Sequence, residues 1–125
     1  MKNYYHIYQN FVVKPNGGLT SINLILVRHG LTRWNLEGLC QGFSDVELNQ
    51  IGKKQIVELG ESLVNEKISA VYSSDLQRAT DTAKEIAKYH NLTVKVDPDF
   101  REMNQGDFEG LTFEEIRGSY SELLS

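Results

Sequence analysis

The chain of 125 residues has room for one domain, and its 40% hydrophobic and 24% charged residues are the proportions of a soluble globular protein. Thirteen Lys and Arg against 17 Asp and Glu give a formal net charge of -4, which argues against a general nucleic-acid or anionic-membrane surface and leaves any anion to a local pocket. No apolar stretch is long enough to span a bilayer, the first ten residues lack the apolar core of a secretory signal, and the single Cys40 can form no internal disulfide, so a cytoplasmic protein is expected.

Residues 1–21 read as an extension. Lys14-Pro15-Asn16-Gly17-Gly18 is a turn or linker signal, and it leaves two readings of the segment open: an edge strand hairpinned onto the next one, or a loose tail. Ile22 to Val27 is a nearly continuous apolar run, the pattern of a strand buried on both faces, and it stops at Arg28-His29-Gly30. A polar loop follows.

Ile51, Ile56, Leu59 and Leu63, with Val57 and Val64, recur at helical spacing and predict a helix with Asn49 as N-cap, ending near Glu66. Ile68 to Tyr72 predicts a second strand, after which Ser73-Ser74-Asp75 suits a helix start. Leu76, Ala79, Thr80, Ala83, Ile86 and Ala87 mark one face of that helix, with Asn91 as its stop. Thr93 to Val96 predicts a third strand, closed by Asp97-Pro98-Asp99, and the capping-box spacing from Thr112 to Glu115 opens a last helix running to the chain end.

Strand, helix, strand, helix, strand predicts an α/β fold with a parallel-type sheet and helices on both faces. Ligands of such sheets bind beyond the carboxyl ends of the strands. Arg28 and His29 follow the first strand, Arg78 falls in the first turn after the second, and Arg101-Glu102 follow the third. Three connections thus aim ionisable groups at one edge.

A histidine at the end of a buried strand, flanked by an arginine and given backbone room by Gly30, is a candidate nucleophile, since neutral imidazole attacks well near neutral pH. Phosphoryl transfer asks for in-line positioning and positive charge around the equatorial oxygens, which the planar forks of Arg28 and Arg78 supply. Glu102 is placed to protonate a leaving alcohol if burial or nearby anions raise its pKa, and Asn35 offers an uncharged amide donor to a phosphate oxygen. Without that setting, each of these residues would read as an ordinary surface or loop residue. No metal-ligand spacing, phosphate-loop or dinucleotide signature accompanies them, so neither a metal nor a cofactor is expected.

The run Arg28-His29-Gly30-Leu31-Thr32-Arg33-Trp34-Asn35 resembles the opening signature of the histidine phosphatase superfamily, also called phosphoglycerate mutase-like. The likeness continues at Gln41-Gly42, at Asp45 to Leu48, at Ser73 to Ala79 and at Arg101 to Gly110. The resemblance implies that His29 takes the phosphoryl group, that Arg28, Asn35 and Arg78 bind phosphate, that Gln41 and Gly42 line the pocket mouth, and that Glu102 donates the proton. It also implies that residues 22–125 are the first portion of the domain, because the family's second pocket histidine, in a late His-Gly, has no counterpart; His90 is expected to be exposed at a helix end. Alone, such a portion is expected to be poorly active and marginally stable.

Glu102-Met103-Asn104-Gln105-Gly106 departs from the Glu-Arg-His-Tyr-Gly that mutases resemble at this point. A phosphomonoester hydrolase acting on a small phosphorylated metabolite is therefore favoured over a phosphoglycerate mutase-type phosphotransferase. A third reading, of another class, is a truncated, non-catalytic phosphate-binding module. The particular ester and the oligomeric state stay open.

Overall fold

A computed structural model describes the backbone of residues 5–13 and 19–121 and the side chains of residues 22–121. The turn expected at Lys14 to Gly18 and the last residues of the chain lie outside the described residues.

The first two strands, β1 (Tyr5–Val13) and β2 (Leu19–Val27), pair antiparallel from Tyr5↔Val27 to Val13↔Leu19. Helix α1 (Arg33–Glu37) and helix α2 (Gln50–Ser62) follow, then β3 (Val71–Ser73), α3 (Gln77–Ala87), β4 (Val94–Val96) and α4 (Phe113–Ser119). Strands β3 and β4 pair in parallel, Val71↔Val94 to Ser73↔Val96, with α3 as the crossover between them.

Leu59 and Leu63 from the α2 segment and Ile86 from α3 form the core, against which Val27, Ile68 and Val71 pack. Burying each of these three core side chains stabilises the fold by roughly 1.5–3 kcal/mol. The α/β architecture is present, but the expected single sheet is two ladders among the described residues: β2 pairs with β1, not with β3. Packing of Val27 and Val71 on one helical core, rather than backbone pairing, joins the two ladders.

Strand β2 also differs from the expectation of burial on both faces. Side chains alternate across a strand, and the face opposite Val27 leaves Ile22, Leu24 and Leu26 exposed at 50%, 42% and 51%. The helix expected to reach Glu66 stops at Ser62, because Leu63 is the last side chain it can bury and Val64 is already exposed. Ile51 and Val57 are likewise exposed, so the core face of α2 is narrower than its sequence pattern.

Local signals read correctly where a side chain reaches its own backbone. The Asn49 carboxamide accepts the Gly52 N–H at 2.7 Å, and Thr112 and Glu115 exchange the reciprocal bonds of a capping box. Asn91 takes the left-handed conformation, φ 54°, that ends α3 and its short 3-10 continuation. Helix α1 stands where only a polar loop was expected; it buries no residue, so no apolar stripe announced it, and Thr32 with Asn35 forms its capping box. Among the described residues no helix is long and apolar enough to cross a membrane.

Candidate active site

Residues 28–31 leave β2 and pass directly over the first turn of α2. A Cβ on Gly30 would stand 2.8 Å from the Gly52 carbonyl oxygen and 2.9 Å from Ile56 Cγ2, so only glycine admits this approach. The half-buried His29 ring then lies with Nδ1 2.7 Å from Gly30 O. A carbonyl only accepts, so Nδ1 carries the proton, and in the neutral ring Nε2 keeps its lone pair.

Burial holds the His29 pKa below its ordinary value of 6.5. The Gly30 carbonyl opposes that shift, the Arg78 and Arg28 cations reinforce it, and Glu102 opposes it. The ring is therefore neutral at physiological pH. Arg28 is exposed, and with His29, Gln55, Ile56 and Leu59 it lines a small, open hollow.

Arg78, the second residue of α3, is no solvated helix residue: its side chain is 2% exposed. It donates through one terminal nitrogen to Ser44 O at 2.5 Å, and through the other to Gly42 O at 2.7 Å and Glu102 Oε1 at 3.2 Å. Among the described residues, three of its five N–H donors are taken.

Glu102 meets the expectation of position but not that of environment. Its side chain is 51% exposed and paired with Arg78, so the burial invoked for a proton donor is absent. The Asn35 side-chain oxygen accepts the Thr32 N–H at 2.9 Å within the α1 cap, which leaves its amide N–H groups as donors. Gln41 is buried, its carboxamide oxygen taking the Thr32 hydroxyl at 2.6 Å. Gly42 has φ +53°, and its carbonyl seats Arg78. His90 is half-buried rather than exposed: it bonds Leu63 O through Nε2 at 3.1 Å, which makes it a structural residue.

Further residues position the site without a signature of their own. The Thr82 hydroxyl, 3% exposed, accepts the Gly30 N–H and donates to Arg78 O, joining the His29 loop to the helix that carries Arg78. The only sequence cue is a polar side chain four residues after Arg78, on the buried face of α3. Helix α3 has Leu76 as N-cap with no side-chain cap of its own; Asp45, 32 residues earlier, accepts the Gln77 N–H at 2.7 Å. Of the expected start at Ser73-Ser74-Asp75, Ser74 Oγ accepts the N–H of the N-cap Leu76 at 3.4 Å, while Ser73 bonds Ser74 O and Asp75 pairs with Arg101. Among the described residues no three His, Cys, Asp or Glu side chains converge as a metal site.

Comparison with known proteins identifies relatives of this chain. The family described as histidine phosphatase superfamily (branch 1) matches residues 24–125. The chain is 50% identical over 94 residues to phosphoglycerate mutase-like protein 4 of Arabidopsis thaliana, covering 74% of this chain and 41% of that protein. It is 44% identical over 106 residues to the metal-independent phosphoserine phosphatase of the same plant, covering 82% and 43%. Among solved structures, a mycobacterial glucosyl-3-phosphoglycerate phosphatase complexed with VO3 superposes with TM-score 0.72 at 38% identity, over 78% of this chain and 47% of that one. The chain therefore spans less than half the length of each of these relatives.

Proposed function

The chain belongs to the histidine phosphatase superfamily, and from that premise we propose that it carries the phosphoryl-accepting half of a phosphomonoester hydrolase acting on a small phosphorylated metabolite. The observation that carries this reading is the His29 ring: Nδ1–H is committed to Gly30 O, so Nε2 is the free, neutral nucleophile. Two relatives named as phosphatases of phosphoserine and of glucosyl-3-phosphoglycerate support the substrate class. The lone Cys40 suits a reducing, cytoplasmic setting.

In this reading the substrate phosphate enters beside Arg28 and the two remaining donors of Arg78, with the Asn35 amide as a third donor. Gln41 and Gly42 form the rim. His29 Nε2 attacks phosphorus as the ester oxygen departs on the opposite side, and that oxygen takes a proton from the Glu102 carboxyl group, which holds one once the anionic phosphate has engaged Arg78 beside it. Water then attacks the phosphohistidine in line, Glu102 accepts its proton, and the imidazole leaves neutral as orthophosphate forms. Every proton given in the first step is recovered in the second.

Hydrolysis is favoured over phosphoglycerate mutase chemistry because no cation stands at 103–106 to hold a substrate carboxylate, and Met103 there is 75% exposed. Neighbouring Arg101 is already engaged by Asp75. Incubation with phosphoserine labelled in its phosphate should leave an acid-labile, alkali-stable label on the chain that His29→Ala abolishes. Label surviving that substitution overturns the reading, and orthophosphate binding with no label at all favours a non-catalytic phosphate-binding module.

A further inference from the structure

The loop 42–44 is held from both sides. Its carbonyls, Gly42 O and Ser44 O, point to Arg78. Its donors point the other way, to Glu109: the Phe43 N–H reaches Oε2 at 3.0 Å, and the Ser44 hydroxyl makes a short bond to Oε1. Oε2 also accepts the Gln105 N–H at 3.1 Å, within the segment that carries Glu102. One carboxylate thus gathers donors from both chain segments that contact Arg78.

The fit is close. A Cβ on Gly42 would lie 2.5 Å from Glu109 Oε2 and 2.9 Å from Gln105 N, so the loop must be glycine where it passes the carboxylate. The neighbouring backbone is stitched in parallel, Cys40 N–H to Leu111 O at 2.9 Å and Gly110 N–H to Cys40 O at 2.8 Å. The Ser44 hydroxyl, ahead of the Phe43 and Gln105 amides, holds the Glu109 carboxyl below its ordinary pKa, so the clip is closed in its ionised form.

We propose that Glu109 is a positioning residue: its carboxylate clips the 42–44 loop to the 102–105 segment and thereby fixes the two carbonyls that seat Arg78. The inference rests on the reading of Arg78 as a phosphate ligand only for its functional consequence; the clip itself is a statement about Arg78's placement. Substitution by glutamine can preserve all three bonds, the amide oxygen taking both backbone N–H groups and the amide nitrogen donating to Ser44 Oγ. Alanine preserves none.

Nuclear magnetic resonance on the isotope-labelled chain tests this through the Arg78 guanidinium signals, with inorganic phosphate as the ligand probe. In Glu109→Ala, exchange of the Arg78 N–H protons with water should quicken about ten-fold or more and phosphate affinity should fall about ten-fold, whereas Glu109→Gln should stay within about three-fold of the parent. The Phe43 and Gln105 amides should titrate together below the ordinary glutamate range in the parent and lose that titration in Glu109→Gln. If Glu109→Ala fails to fold, Ser44→Ala, which removes one of the three bonds, should give an intermediate quickening at Arg78. Arg78 signals indifferent to every one of these substitutions overturn the clip, whether or not phosphate binds. Arg78 signals that respond in a parent chain that does not bind phosphate keep the clip and sink the phosphate-ligand reading.

Discussion

The Thr82 hydroxyl accepts the backbone N–H of Gly30 at 3.1 Å, across 52 residues of sequence. The same oxygen donates to Arg78 O at 2.8 Å, so one buried side chain sets the spacing between the His29 loop and the helix of the buried arginine. Thr82→Val keeps the shape and removes both bonds, leaving the Gly30 N–H unpaired. We expect a loss of about 1–3 kcal/mol in urea unfolding, with orthophosphate affinity lowered in the folded fraction. A variant as stable as the parent would show that Gly30 finds another acceptor.

Two glycines in the left-handed region separate backbone strain from crowding. Gly38, φ +70°, has nothing within 4 Å of an added Cβ, while Gly42, φ +53°, would drive its Cβ into Glu109 and Gln105. Gly38→Ala should cost only the conformational penalty, roughly 1–2 kcal/mol, and Gly42→Ala should cost distinctly more and weaken phosphate binding. Equal losses in thermal melts of the two variants would mean that the 42–44 loop yields freely.

Helix α3 receives its cap from a distance. Asp45→Ala removes the acceptor for the Gln77 N–H and should destabilise the chain by about 0.5–2 kcal/mol, whereas Asp45→Asn, which keeps a side-chain oxygen, should lose little. Equal stability of the two variants would show that the cap contributes nothing to α3.

The pH dependence of His29 has a definite sign. Its folded pKa lies below the ordinary 6.5 because the buried ring favours the neutral form. The stabilisation from keeping it neutral is complete above pH 6.5 and is lost as pH falls from there through the folded value. Proton titration of the ring by nuclear magnetic resonance should place its midpoint below 6.5 in the native chain. A midpoint above that value would show that burial does not dominate the ring's environment.

What could be read from sequence divides along the range of the interaction. Asn49, Thr112 and Asn91 act on backbone within a few residues, so their identity and place were enough. Arg28, His29 and Arg78 were legible because a strand or helix end beside them sets their position. Asp45, Thr82 and Glu109 act across 32, 52 and up to 66 residues, and nothing local distinguishes them from solvated polar residues. The pairing of β2 with β1 was left open beside a loose tail, since an apolar run does not name its partner. Glu102 was singled out by order along the chain, but its contact with Arg78 and its exposure depend on how the 101–105 segment folds.

The most direct test of His29 as the phosphoryl acceptor is the atom that carries the phosphate after reaction with labelled phosphoserine, read by phosphorus resonance and by fragment mass on alkali-quenched protein. Nδ1–H is bound to Gly30 O, so the phosphorylated atom should be Nε2 of His29. Phosphate on Nδ1, or on any residue other than His29, would contradict it.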